Sequence, residues 1–146
     1  GDIEARGRML IASTMGATSF QRGLGAMHAL AHSIGGIFDS HHGTLNAILM
    51  PYVLATNRYK IEKDIEYLSM CLGLTSTFDS FLDWILLLRE ELDIPHKLSE
   101  IGLSKKASQI IGKTAEKDPS AFTNPIILDA EDYENIYLRA ISGDLH

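Results

Sequence analysis

Four of the six histidines fall within "HALAHSIGGIFDSHHG", residues 28–43. His28 and His32 are four apart in a stretch of helical periodicity, so they project from one face with ~6 Å of rise between them. His42 lies fourteen residues after His28, beyond Gly35-Gly36 and at the expected start of the next helix. A helix N-terminus disfavours the imidazolium, which helps keep His42 in the neutral form that a metal ligand must take. The glycine pair permits a sharp turn, and Gly43 removes side-chain bulk beside His42. By themselves these residues admit two readings, ligands of a divalent metal or a hydrogen-bonded polar patch. Divalent metals generally take three or four protein ligands. Two or three histidines make an incomplete site.

The elements that must position them read as helices throughout. No alternating strand pattern, hairpin signal or internal repeat is present. The spacing predicts a first helix over about 2–18, with Ala12, Ser13, Gly16 and Ala17 as small contact residues. A second is predicted over about 20–34, stopped by Gly35-Gly36. A third begins at Gly43 and carries Leu45, Ile48, Leu49 and Val53, with Pro51 inside it as a source of a kink. Further helices are predicted at 59–74, at 77–92 before Ile94-Pro95, from an N-cap at Ser104 to about 117, and from Asp129 to about 141. The expectation is an all-α fold of about seven helices in one domain, 1–146. Met9, Met15, Met27 and Met50 are expected to fill gaps in its core. Phe78, Leu82, Trp84, Ile85 and Leu86 read as core, and Cys71 as buried and inert.

Composition excludes several classes. Hydrophobic residues make up 45% of the 146 residues and charged ones 22%, which is globular rather than disordered. The net charge of −6 is spread along the chain without a Lys/Arg cluster, which argues against nucleic acid. The densest apolar run, "FLDWILLLREEL", is too short and too charged to span a membrane. The single cysteine cannot form an intrachain disulfide, which agrees with a reducing, cytoplasmic location.

One longer segment goes further. "GLGAMHALAHSIGGIFDSHHGTLNAILMPYVLATN" (23–57) resembles the iron-containing, or group III, alcohol dehydrogenases. Their pattern runs from a His, three residues and a second His to a Gly pair, then His-Gly and Asn-Ala-Ile-Leu-Leu-Pro. This chain carries His28, His32, Gly35-Gly36, His42-Gly43, Asn46-Ala47-Ile48-Leu49 and Pro51. "EARGRMLIASTMGATSF" upstream is similar to the helix that precedes the motif, and "LDIPHKLSEIGL" and "DPSAFTNP" downstream are similar more weakly.

The resemblance implies the C-terminal helical domain of the dehydroquinate synthase-like fold shared by iron-containing alcohol dehydrogenases. It implies that His28 and His42 ligate a catalytic divalent metal, usually iron, with zinc as the other candidate. It places His32 near nicotinamide and substrate, as a catalytic proton relay and a cofactor contact. His41 departs from the family, which often has proline there, and reads as a surface histidine, as do His96 and His146. The remaining two metal ligands and the nucleotide-binding domain that selects NAD or NADP are expected upstream. "GLGAMH" lacks the third glycine of a phosphate loop, and its glycines read as packing positions.

The implied activity is the interconversion of an alcohol and an aldehyde or ketone by the full-length enzyme, with this chain alone inactive. Its expected partners are that small substrate, the missing amino-terminal domain and further copies of itself in a homo-oligomer. Two alternatives stay open. One is another member of the superfamily, a glycerol dehydrogenase, maleylacetate reductase or dehydroquinate synthase-like enzyme. The other is a non-catalytic helical interaction module.

Overall fold

A computed structural model describes residues 1–145. Six α-helices and four short 3-10 turns make up its regular structure, and no strand occurs among the described residues. The helices are α1 (Ile3–Ser19), α2 (Gly25–Phe38), α3 (His42–Cys71), α4 (Phe78–Glu91), α5 (Ser108–Glu116) and α6 (Ala130–Ser142). The all-α reading therefore holds, and the helix at 43 and the one at 59 are a single thirty-residue helix. Nothing at 56–58 breaks it. Thr56 bonds back to the carbonyl of Tyr52, and Arg58 reaches forward to Glu62 and across to Asp79 on α4. The helical assignment also runs unbroken through Pro51.

The glycine pair does not stop α2. Gly35 and Gly36 lie in its last turns, and the left-handed residue that ends it is Asp39, φ 53°. A short polar side chain tolerates that conformation better than a branched one does. Only Asp39, Ser40 and His41 separate α2 from α3. The two helices pack as a hairpin, which returns His42 to the level of His28.

The main core joins α2, the first half of α3, α5 and α6. Leu30, Ile34, Leu45, Ile48, Leu49, Ile111, Tyr133 and Tyr137 are fully buried there. Gly112 lets α5 approach α6, since a Cβ at that position would lie 2.3 Å from the carbonyl oxygen of Ala130. A smaller cluster of Ile65, Phe78, Phe81 and Ile85 holds α4 to the second half of α3. Arg89 of α4 is buried and makes no salt bridge among the described residues. It donates long bonds of 3.4 Å to the carbonyls of Ile48 and Pro95, the first of them on the turn of α3 that precedes Pro51.

Local starts mostly follow the chemistry of the caps. Asp2 caps α1, Thr77 caps α4, and Asp129 with Asp132 forms a reciprocal capping box on α6. Ser104 differs from expectation. Its side chain makes no capping bond, and a 3-10 turn at Lys105–Ala107 precedes α5.

No residue of α1 is buried. Its small residues face solvent rather than another helix, and Met9 and Met15 are exposed instead of filling a core. Met27 and Met50 do pack against the two clusters. Trp84 and Cys71 are exposed as well, contrary to their apolar context. Trp84 and Cys71 sit at helical phases turned away from the core, whereas Met9 and Met15 are exposed because α1 buries no face at all.

Candidate metal centre

The helix that carries His28 is capped from far away in the chain. The backbone N–H groups of Leu24 and Gly25 donate to Oγ1 of Thr123, at 3.0 and 3.1 Å. Ala26 donates to Oδ1 of Asn124 at 3.1 Å. These three donors have no intrahelical acceptor, so the capping satisfies groups that would otherwise destabilise the start of α2. The approach is close: a Cβ on Gly23 would lie 2.3 Å from Cβ of Thr123, and Gly23 has φ 101°. Asn124 in turn exchanges hydrogen bonds with Asn57 of α3.

The start of α3 is held by His41. Its Nδ1 accepts from the backbone N–H of Thr44 at 3.2 Å and lies 3.1 Å from the hydroxyl of the same residue. His41 is exposed, as expected, but it is also the N-cap that sets His42 at the first position of the helix. Gly43 leaves room for His41, for a Cβ there would meet Cε1 of His41 at 3.2 Å. His96 is half-buried and contributes its backbone to the packing of Tyr52, whose hydroxyl donates to its carbonyl. His146 lies outside the described residues.

These supports bring three imidazoles together. The ring centroids of His28 and His42 are 5.3 Å apart, those of His28 and His32 are 5.8 Å apart, and those of His32 and His42 are 5.2 Å apart. The rings of His32 and His42 stack within 13° of parallel. Phe20 presents its ring to His28 edge to face and closes that side. His28 is buried, whereas His32 and His42 open to solvent.

Two ring nitrogens point to one place. Nδ2 of Asn46, one turn beyond His42, lies 2.9 Å from Nε2 of His42 and 3.4 Å from Nε2 of His28. Both Nε2 atoms thus face a shared point. His32 is oriented differently. Its Nδ1 lies 3.1 Å from Oδ2 of Asp118, whose other oxygen accepts from the backbone of Ser120 and caps the turn Pro119–Thr123. Asp118 was not singled out from the sequence. The Asp-Pro pair that opens "DPSAFTNP" is a turn signal, but nothing in it points eighty-six residues back to His32.

Electrostatics favour neutral rings at the buried position. Burial, followed by the neighbouring His42 and His32, depresses the pKa of His28 below its ordinary value of 6.5. The carbonyl of Leu24 and the charge of Asp118 act weakly in the opposite sense. Nδ1 of His28 is buried with no hydrogen-bond partner among the described residues.

This arrangement fits two ligands of a metal. Both donors are imidazoles of the kind that zinc and iron accept, with their Nε2 atoms directed at a common point. The set is incomplete on its own: no group of three or more His, Cys, Asp or Glu side chains suited to a metal occurs among the described residues. His32 presents its Nδ1 to Asp118, a contact that orients the ring.

Comparison with known proteins gives the frame for this geometry. The family model for the "Fe-containing alcohol dehydrogenase family, C-terminal" matches residues 1–141. The 1,3-propanediol dehydrogenase of Citrobacter freundii is 30% identical over 95% of this chain and 38% of its own length. The NADPH-dependent butanol dehydrogenase of Clostridium saccharobutylicum is 32% identical over 94% of this chain and 38% of its own. The solved structure of an iron-containing alcohol dehydrogenase from Thermococcus thioreducens matches with a TM-score of 0.87 at 30% identity, over 98% of this chain and 39% of that one. The chain thus spans 38% of the length of these curated relatives. It belongs to the Fe-containing alcohol dehydrogenase family and corresponds to the C-terminal, helical domain of that family.

Proposed function

We propose that this chain is the metal-binding helical part of an NAD- or NADP-linked alcohol dehydrogenase that interconverts an alcohol and an aldehyde or ketone. His28 and His42 hold a divalent metal, iron or zinc, through their Nε2 atoms. The observation that carries this reading is the convergence of both nitrogens on one point, at Nδ2 of Asn46. When bound, such a metal supplies Lewis acidity that polarises the alcohol or carbonyl oxygen next to the carbon that exchanges hydride. The remaining ligands and the nucleotide-binding domain lie in the part of the enzyme outside this chain, and the 146-residue chain alone does not turn over.

His32 works beside the metal ligands rather than as one of them. Asp118 accepts from its Nδ1–H, which leaves Nε2 as the acceptor on an exposed ring. That atom takes or gives a proton on the substrate side and positions the nicotinamide. Such a dyad needs no change in the charge of Asp118, which holds the tautomer. The family membership and the absence of any helix able to cross a membrane among the described residues support a cytoplasmic enzyme.

The test is a pair of substitutions in the full-length enzyme. His28→Ala removes the metal, whereas His32→Ala retains it and lowers the rate. Loss of metal in neither variant, or in both, contradicts these roles. A second reading, a non-catalytic interaction module, draws on the exposed Met9, Leu10, Ile11, Met15 and Phe20 along and just beyond α1. It predicts no metal at the histidine pair.

A further inference from the structure

The contact between Asn46 and the two histidines has a consequence for loading. Nδ2 of Asn46 carries two hydrogens, and the two Nε2 atoms lie 2.9 and 3.4 Å from it on different rings. One amide therefore offers a donor to each imidazole. Both rings are held with the proton on Nδ1 and the lone pair on Nε2, which is the tautomer a metal ligand needs. The acceptor end of the same amide, Oδ1, is buried and has no hydrogen-bond partner. A buried amide that satisfies its donors and leaves its acceptor unpaired is held in place by the contacts its donors make.

We propose that Asn46 is a placeholder for the metal: it keeps His28 and His42 in the ligating tautomer while the metal is absent, and it swings aside when the metal takes the two lone pairs. This rests on the assignment of His28 and His42 as ligands. No bond is made or broken in the protein during the exchange. Two N–H···N hydrogen bonds are replaced by two nitrogen–metal bonds, and the freed amide is released toward solvent at the open, His42 side of the site.

The placeholder explains why an asparagine, rather than an apolar residue, stands one turn after His42 at a half-buried position. An apolar side chain there leaves each neutral ring free to choose its tautomer. An aspartate inverts the polarity. It accepts where asparagine donates, so the metal-free rings turn to the Nε2–H tautomer, and with a metal present it adds a carboxylate to two imidazoles.

The test uses the 146-residue protein labelled with nitrogen-15 on histidine, without metal, at a pH where the rings are neutral. The ring nitrogen shifts are expected to report Nδ1–H at His28 and His42 in the parent protein. In N46A, His42 is expected to drift to a mixture of tautomers, and in N46D to Nε2–H. Cobalt(II) is expected to bind N46D at least tenfold more tightly than the parent. Nε2–H at both rings of the parent, or shifts that do not respond to N46A, would overturn the proposal. If the tautomers are as described but cobalt(II) leaves both rings untouched in the parent and in N46D, the ligand assignment fails instead, and the displacement step fails with it.

Discussion

Asn57 and Asn124, sixty-seven residues apart, exchange side-chain hydrogen bonds in both directions, at 3.0 and 2.9 Å. Asn57 is buried in α3, and Asn124 sits in the turn that caps α2. One amide pair thereby ties together the two helices that supply His28 and His42. Its second carbonyl lone pair is used on the backbone of Ala26, and its second amide hydrogen on the carbonyl of Ile126.

Asn124→Ala removes a helix cap and strands a buried amide at once. The expected loss of stability is about 2 to 4 kcal/mol, the sum of a cap and an unpaired buried group. Asn124→Asp restores the acceptor to Ala26 but not the donor to Asn57, and an intermediate loss is expected. Urea denaturation of the three proteins checks the order.

Two glycines with positive φ separate backbone strain from crowding. Gly23 has φ 101° and a Cβ there would collide with Thr123, whereas Gly73 has φ 75° and faces open space. Gly73→Ala should therefore lose ~1 kcal/mol from the left-handed backbone alone. Gly23→Ala adds displacement of the Thr123 cap and should lose more than about 3 kcal/mol. Equal losses, measured by thermal melting, would mean that the Thr123 contact has no energetic weight.

Asp118 should matter to the reaction through His32. In the full-length enzyme, Asp118→Asn keeps the shape of the turn but removes the charged acceptor. The expected result is about a tenfold to hundredfold drop in kcat with metal content unchanged, as for other partners that orient a catalytic histidine. Its pH–rate profile should also shift, which a purely structural role of Asp118 in capping Pro119–Thr123 would not produce.

The depressed pKa of His28 sets the direction of a pH effect. The unfolded chain takes up a proton near 6.5, before the folded chain does. Stability is therefore complete above 6.5 and falls as the pH drops below it, down to the folded pKa. The melting temperature is expected to be lower at pH 5.5 than at pH 7.5, and the difference should shrink in His28→Gln. An unchanged difference in the variant would assign the effect to other groups.

What the sequence made legible was local or periodic. The His28/His32 spacing, the helix start at His42 and the Asp129–Asp132 capping box are all set by neighbours within a turn or two. The convergence of His28 and His42 was also foreseeable, given a short connection between two helices. The reason was misplaced, for Asp39 rather than Gly35-Gly36 makes the turn. What stayed hidden depended on contacts distant in the chain. Asp118 reaches His32, Thr123 and Asn124 cap α2, and Asn57 locks that cap to α3. Polar residues in a loop carry no mark of what they will satisfy. Helical phase is the other gap: Trp84 and Cys71 have types that favour a core and positions that face out, while Met9 and Met15 lie on a helix that buries no face.

The claim that His28 and His42 ligate a metal is tested most directly by titrating the 146-residue protein with cobalt(II) and following paramagnetic broadening of the histidine ring resonances. The rings of His28 and His42 should broaden first and together, and His28→Ala should abolish the effect. Broadening centred on His41, His96 or His146, or broadening that survives His28→Ala unchanged, would contradict the account.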